Sequence, residues 1–385
     1  MARLDTDLVT WRRSLHEIPE PGFAEVKTSA YVREVLEGFG LRVKTYAKTG
    51  LVGEIVGKRG SGPVIALRAD MDGLPLQEAS GESFSSRHPG MMHACGHDIH
   101  MAVLLGTARA LLAQADFPGR IRLVFQPSEE GPESGARALI EEGALTGVDG
   151  IIGLHVWSHE PAGTVAMRAG AMMASADTFE IEVEGRGGHG SEPHTARDAI
   201  LIASQIVVNL QQIVSRRLTP LEPCVVSVGR VEAGAASNII AESARMSGTV
   251  RTFSAVAQET VEREMIRIAT ATAAMHGARA DVRYHRGVPA VINDGPVIDA
   301  WRAALRGTVA TSEPLPAMAS EDYSLYLNQV PGAFVFLGGR PEGEVFPHHS
   351  PHFRVSEDCL PVGVETMVRG ARTLLAHPDV LERAR

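Results

Sequence analysis

The sequence predicts an α/β protein in which the two ends of the chain build a mostly parallel sheet and a β-α-β-β-α-β segment is inserted between them. Three observations carry this. Apolar strand signals alternate with helical periodicity between residues 42 and 156, the order that gives right-handed crossovers and a parallel sheet. From about residue 175 the pattern changes to clean two-residue alternation, DTFEIEVEG at 177–185, as a half-exposed strand requires. After residue 293 helices and an apolar strand resume. The expected boundaries are 1–175 with 290–385 for the first domain and 176–289 for the second.

Taken in order, residues 5–40 predict two helices separated at Pro19-Glu20-Pro21-Gly22, a tetrapeptide that cannot continue a helix. Strands are expected at 42–46 and 51–57. PVIALR at 63–68 is a continuous apolar run, as a strand buried on both faces requires, and it delivers Asp70 and Asp72 to its end. A helix follows over about 98–113, with Asp98 in its first turn. Next come strand 120–125, helix 134–142 and strand 150–156. The inserted segment reads as strand 177–185, a helix from near Thr195 to about Arg217, strands 224–231 and 243–251, a helix over 256–276 and strand 279–285. This is the order of a ferredoxin-like domain. Helices at 295–308 and 320–328, strand 333–338, a histidine-rich loop and a last helix ending near 376 complete the chain.

Composition narrows the function. Among 385 residues, 46 acidic against 37 basic leave a net charge of −9, which argues against the dense basic face that nucleic acid needs. No apolar stretch approaches the roughly 20 residues of a membrane helix. The opening MARLDTDLVTWRRSLHEIPE has no apolar core and does not read as a signal peptide, so a cytoplasmic location is expected. Three cysteines, Cys95, Cys224 and Cys359, are too few for a disulfide framework. Of the 15 histidines, by contrast, 11 fall in groups: His88/His93/His97/His100, His155/His159, His189/His194 and His348/His349/His352.

The chemistry concentrates where the strands end. Asp70/Asp72, Glu129/Glu130 and His155 sit at or just beyond the carboxyl ends of expected strands, and Cys95-Gly96-His97-Asp98 opens the helix after the first of them. In open α/β sheets the ligand crevice lies outside those ends. A Cys and a His two apart on a glycine turn can face one cavity, and thiolate with imidazole suits zinc or a neighbouring divalent ion. An isolated C-x-H is more often a buried cysteine beside a surface histidine; the nearby acids and strand-end histidine favour a metal here. Adjacent residues in extended backbone point to different sides, so one of Glu129 and Glu130 can bind metal while the other takes a proton from water. His155 alone is balanced between core residue and ligand, and sequence does not separate His349 from His348 and His352.

Other chemistries fit less well. Gly185-Arg186-Gly187-Gly188-His189-Gly190 matches G-x-G-x-x-G after a strand, the fingerprint of a dinucleotide-binding oxidoreductase. Pro193 and the polar run before Thr195 delay the helix whose N-terminus would meet the pyrophosphate. No acid-tipped parallel strand follows either, so the glycines read as a mobile loop or hinge carrying His189. There is no G-x-S-x-G elbow and no P-loop. A Cys95–His nucleophilic pair would leave Glu129, Glu130 and His155 without a role.

RRSLHEIPEPGFAE (12–25), ALRADMDGLP (66–75), GMMHACGHDIH (90–100), FQPSEEG (125–131), GLHVW (153–157), GRGGHGSEPH (185–194), GTVRTF (248–253), SEDYS (320–324) and HHSPHF (348–353) together resemble the M20 metallopeptidases. The nearest branch is the amidohydrolases of N-acyl amino acids: hippurate hydrolases, indoleacetyl-amino-acid hydrolases and N-acetyl amino acid deacetylases. The resemblance implies a catalytic domain with two divalent metal ions (Mn²⁺, Zn²⁺, Co²⁺ or Ni²⁺) and an inserted lid domain that mediates a homodimer or higher oligomer. It implies Cys95 as the ligand shared by both metals, with His97 and Glu130 serving one metal position and His155 and His349 completing the set. Glu129 matches the general base, and Asp72 the acid that orients a ligand. His189 matches a lid histidine that polarises the scissile carbonyl in a neighbouring subunit, and Asn238 and Arg251 match residues that hold the substrate's carbonyl and carboxylate. The expected activity is metal-dependent hydrolysis of N-acyl amino acids to carboxylic acid and free amino acid. The alternatives are a dipeptidase or carboxypeptidase on the same scaffold, and a non-catalytic metal-binding protein; an intact Glu129 counts against the last.

Overall fold

The apolar run at 64–70 forms the strand at the heart of the larger sheet, where every residue from Ile65 to Asp70 is buried. The computed structural model describes residues 2–384, in two units: 2–172 with 292–315 and 322–384, and 173–291 with 316–321. In the first unit, strands Arg120–Gln126, Val64–Asp70, Gly150–Trp157 and Gly332–Gly338 lie side by side and parallel, so their carboxyl ends share one edge. The hairpin Val43–Tyr46/Gly50–Val56 extends the sheet antiparallel on one side. On the other, Thr164–Ala166 runs antiparallel to Gly332–Gly338 and is followed by Ala310–Ser312. The result is eight strands, mixed α/β and mostly parallel at the centre.

Helices Ala2–His16, His97–Ala113, Gly295–Leu305 and Cys359–Ala376 bury their apolar faces with this sheet in one core that includes Leu67, Leu104, Leu105, Ile152, Val335, Val364 and Leu374. Trp301 lies in it, its indole N–H donating to the Thr366 carbonyl at 2.9 Å. Burying one such side chain contributes about 1.5–3 kcal/mol, so the core readily holds the polar edge in place.

In the second unit, strands Cys224–Ala233, Ser243–Thr252, Ala176–Glu184 and Arg279–Val288 form an antiparallel sheet in that order. The alternation of DTFEIEVE is realised: Asp177, Phe179, Ile181 and Val183 are buried and the residues between them are not. Helices Ala199–Gln212 and Ala255–Met275 pack on the apolar face. Ser254 starts the second of them, its hydroxyl accepting the Ala257 N–H.

Several elements depart from expectation. The helix expected from Thr195 begins at Ala199, because Pro193–Thr195 form a separate turn and Asp198 is the cap, accepting from Ile200 and Leu201 N–H. With its π-turn, Ala199–Arg217 is long and apolar enough to cross a membrane by length and composition, contrary to the sequence expectation. Its Ile202, Ile206, Leu210 and Ile213 are instead spent on the sheet. The helix expected over 320–328 shrinks to Ser324–Leu327, and a further short helix, Asp379–Ala384, follows Pro378. The glycine loop 185–190 is tied down rather than free: Gly185 N–H donates to Glu242, Arg186 pairs with Arg197, and Gly188–His189 pair with Ile239–Ile240.

Candidate metal centre

The four parallel strands of the first unit each deliver polar groups to the shared edge. Val64–Asp70 ends in Asp70 and runs on to Asp72, and Arg120–Gln126 leads to Glu129 and Glu130. His155 is near the end of Gly150–Trp157, and Gly332–Gly338 runs into the loop holding His348 and His349. Cys95 and His97 flank Gly96, which adopts φ +85° at the start of helix His97–Ala113. A Cβ there would lie 2.3 Å from Val156 Cγ1, so only glycine lets the turn sit against the strand. Both flanking side chains are buried.

Ligand-type atoms of Cys95, His97 and His155 lie within 4.8 Å of one another. The same holds for Cys95, Glu130 and His349, and for His97, Glu129 and Glu130. Cys95 is thus common to two groups. The second coordination layer sets the tautomers. His155 donates from Nδ1 to the Val156 carbonyl at 2.7 Å, which leaves the Nε2 lone pair 3.4 Å from Cys95 Sγ. His348 spends its Nε2 on the same carbonyl at 3.0 Å, and exposed His352 donates to Ala79. His349, at φ +65° with its N–H on the Ala94 carbonyl, places Nε2 2.9 Å from Glu130 Oε1. Of the three loop histidines, it is the one brought to the cluster. Asp72 spans two members: Oδ1 lies 3.3 Å from His97 Nδ1 and Oδ2 accepts the Glu130 N–H at 2.9 Å.

Three supports, Asp70, His100 and Glu25, carry no assigned role in the sequence reading. Buried Asp70 receives His100 Nδ1–H at 2.6 Å, while His100 Nε2 accepts the Val156 N–H at 2.8 Å and so fixes the strand beside His155. The signal was present, since His97 and His100 are three apart on one helix and share a face. Glu25 is buried, and its carboxylate accepts the Ser128 N–H at 2.8 Å and the Thr49 hydroxyl at 2.5 Å. Ser128, at φ +48°, immediately precedes Glu129.

Charge in this pocket is out of balance in a way that suits a cation. Burial, with the nearby charges of Glu130 and Glu129, pushes the Cys95 thiol well above its usual range. Burial opposes charge on His97 as well, yet Asp70 and Asp72 hold its pKa up at about 10. His155, buried among His100 and His348, is held neutral. One buried imidazolium, with Arg68 paired to Asp70 at 2.6 Å, therefore answers the carboxylates of Asp70, Asp72, Glu129 and Glu130. Both His97 ring nitrogens are buried without a hydrogen-bond partner among the described residues. Thiolate, imidazole and carboxylate donors around unsatisfied nitrogen fit borderline-soft divalent ions.

The remaining expected site residues lie in the second unit. His189 is exposed, its Nδ1 2.7 Å from Ser191 Oγ. Asn238 is exposed just before Ile239–Ile240, its carbonyl accepting the Gly190 N–H. Arg251 is half-buried on Ser243–Thr252 and donates to Thr249 Oγ1 and the Val250 carbonyl.

Residues 66–373 match Peptidase family M20/M25/M40. The chain belongs to this family. Among its M20 relatives, the N-acetylcysteine deacetylase of Bacillus subtilis is 42% identical, the match spanning 93% of this chain and 94% of that protein. Thermostable carboxypeptidase 2 of Saccharolobus solfataricus is 40% identical over 92% of each. The crystal structure of the Bacillus subtilis YXEP protein, described as a dinuclear metal binding peptidase of the M20 family, superposes with a TM-score of 0.88 at 37% identity, covering 98% of this chain and 99% of that one.

Proposed function

We propose that this M20 enzyme hydrolyses the amide bond of N-acyl amino acids at a centre of two divalent metal ions. The observation that carries the reading is the division of labour between adjacent glutamates. Glu130 turns to His349 at 2.9 Å, while Glu129 Oε2 lies 4.0 Å from His97 Nε2. Cys95 would be the shared ligand; its two groups of neighbours favour His97 with His155 and Glu130 with His349 over the pairing of His97 with Glu130 that the resemblance implies. When bound, such ions would supply Lewis acidity that polarises the scissile carbonyl and makes the attacking water more acidic. Glu129 is the group positioned to take the proton of the attacking water and return it to the departing amino group. Asp72, touching His97 and the Glu130 backbone, keeps ligand and base loop in register.

We assign to the second unit the role of a ferredoxin-like lid, supported by its strand order and by the resemblance of its motifs. In that role His189 would polarise the substrate carbonyl of a neighbouring subunit, and Asn238 and Arg251 would hold the substrate's carbonyl and carboxylate. A homodimer through this unit is supported by an outward stripe on helix Ala199–Gln212, where Leu201 and Val208 are 48% and 68% exposed. Three free cysteines suit the reducing cytoplasm.

The carboxypeptidase relative motivates a second reading. An N-acyl amino acid and a peptide C-terminus present the same scissile group, an amide whose nitrogen carries an α-carboxylate. Release of free amino acid from N-acetyl, N-benzoyl and indoleacetyl amino acids, compared with release from blocked and free dipeptides, separates the two. Turnover of the acyl series at higher kcat/KM supports the proposal; preference for peptides with no acyl hydrolysis would replace it.

A further inference from the structure

We infer that Asp322 is a positioning residue for the Glu129–Glu130 loop, gripping both of its feet with one buried carboxylate. The inference rests on the reading of these glutamates as base and ligand, and gives a task to the SEDYS segment.

The loop runs from Gln126, the last residue of a parallel strand, to Gly135, the first of helix Gly135–Glu141. Asp322 Oδ1 accepts from Gln126 Nε2 at 2.7 Å, on the incoming side. Its Oδ2 accepts from the Ser134 hydroxyl at 2.6 Å and lies 3.2 Å from the Ala136 N–H, on the outgoing side. Arg68 braces the incoming foot, with Nε on Gln126 Oε1 at 2.8 Å and Nη2 3.3 Å from Asp322 Oδ1. Tyr326 O–H also reaches Gln126 Oε1, at 3.0 Å. The neck between the feet is closed by Gly135 N–H on the Ser128 carbonyl at 2.8 Å. Asp322 is 3% exposed and 254 residues from Arg68 in sequence, so the grip depends on the tertiary fold alone.

A side chain that fixes only one foot would anchor the strand or cap the helix. Fixing both sets the loop's span, and therefore where its tip carries Glu129 and Glu130. Reacting groups displaced by about 1 Å lose about 10²-fold in rate.

Two variants test this. Asp322→Asn puts an amide N–H₂ where acceptors are needed; Ser134→Ala removes one of the two outgoing bonds, and the Ser134 cap on the Arg137 N–H with it, and leaves the Arg68–Asp322 pair in place. Hydrogen–deuterium exchange is read over 126–136 and over helix 97–113, with metal content and steady-state kinetics on an N-acetyl amino acid. Expected for Asp322→Asn are exchange raised at least about tenfold in 126–136, unchanged exchange in 97–113, and kcat lowered about 10²-fold at nearly constant KM. Ser134→Ala moves the same readouts less far. Unchanged loop exchange in both variants, or protection lost evenly across both segments in both, overturns the inference. Absence of amide turnover by the unmodified enzyme would count against the amidohydrolase reading, while loop exchange would still decide whether Asp322 holds the loop.

Discussion

His155 and Cys95 approach to 3.4 Å because His155 commits its other nitrogen to the Val156 carbonyl. A buried neutral imidazole and a buried thiol thus face one another with lone pairs available. Replacing the sulfur is therefore expected to cost metal. Cys95→Ser should bind substantially less divalent metal than the unmodified protein after identical loading, and the cobalt-loaded form should lose its thiolate-to-cobalt absorption. Metal analysis and an ultraviolet spectrum check both.

The two glutamates should part company on substitution. Glu129→Gln is expected to retain its metal and lose about 10²–10⁴-fold in kcat, the usual contribution of a positioned acid–base group. Glu130→Gln is expected to lose metal as well as turnover. Equal metal loss in both variants would show that the two carboxylates share one role.

Much of this centre was legible in the sequence, because buried strands announce their own ends: Asp72, Glu129, Glu130 and His155 all follow or close apolar runs. What escaped is long-range or conformational. His349 and His348 are adjacent, and the left-handed backbone at His349 that sends their rings to different partners leaves no periodic trace. Glu25 acts on Ser128 across 103 residues. The three-residue strands Thr164–Ala166 and Ala310–Ser312 are too short for alternation to register. Residues 320–328 carry enough helical pattern to suggest a helix, but a helix forms only at Ser324–Leu327, after Asp322 has turned to its buried partners.

Gly135 offers a test by steric means. A Cβ at this position would fall 1.6 Å from the Pro127 carbonyl oxygen, so the neck of the glutamate loop closes only around glycine. Gly135→Ala is expected to destabilise the fold by about 1–3 kcal/mol, as overpacking does, and to lower kcat even at temperatures where the protein remains folded. Thermal melting and kinetics at one temperature below the transition measure the two effects separately.

Acid stability should depend on Glu78. Burial works against its charge, but hydrogen bonds from His16, Ser80 and Ser86 hold its pKa down at about 2, against an ordinary 4.5. A depressed carboxylate stabilises the folded state above its unfolded pKa, and that contribution disappears as pH falls from about 4.5 through about 2. With solvent screening trimming the full 1.36 kcal/mol per pH unit, about 1–2 kcal/mol is expected. Glu78→Gln should therefore melt lower than the unmodified protein at pH 7, and the gap should close towards pH 2. A gap that is constant across this range would remove Glu78 from the account.

The central claim is that the Cys95-centred cluster is a two-metal hydrolytic site, and restoring ions to metal-free protein tests it most directly. N-acetyl amino acid hydrolysis would be followed as Mn²⁺, Zn²⁺, Co²⁺ or Ni²⁺ is titrated in, with bound metal measured alongside. The account predicts no turnover without metal and activity that rises until about two ions are bound per chain. Full activity in the metal-free protein, or two ions bound with no amide cleaved, would contradict it.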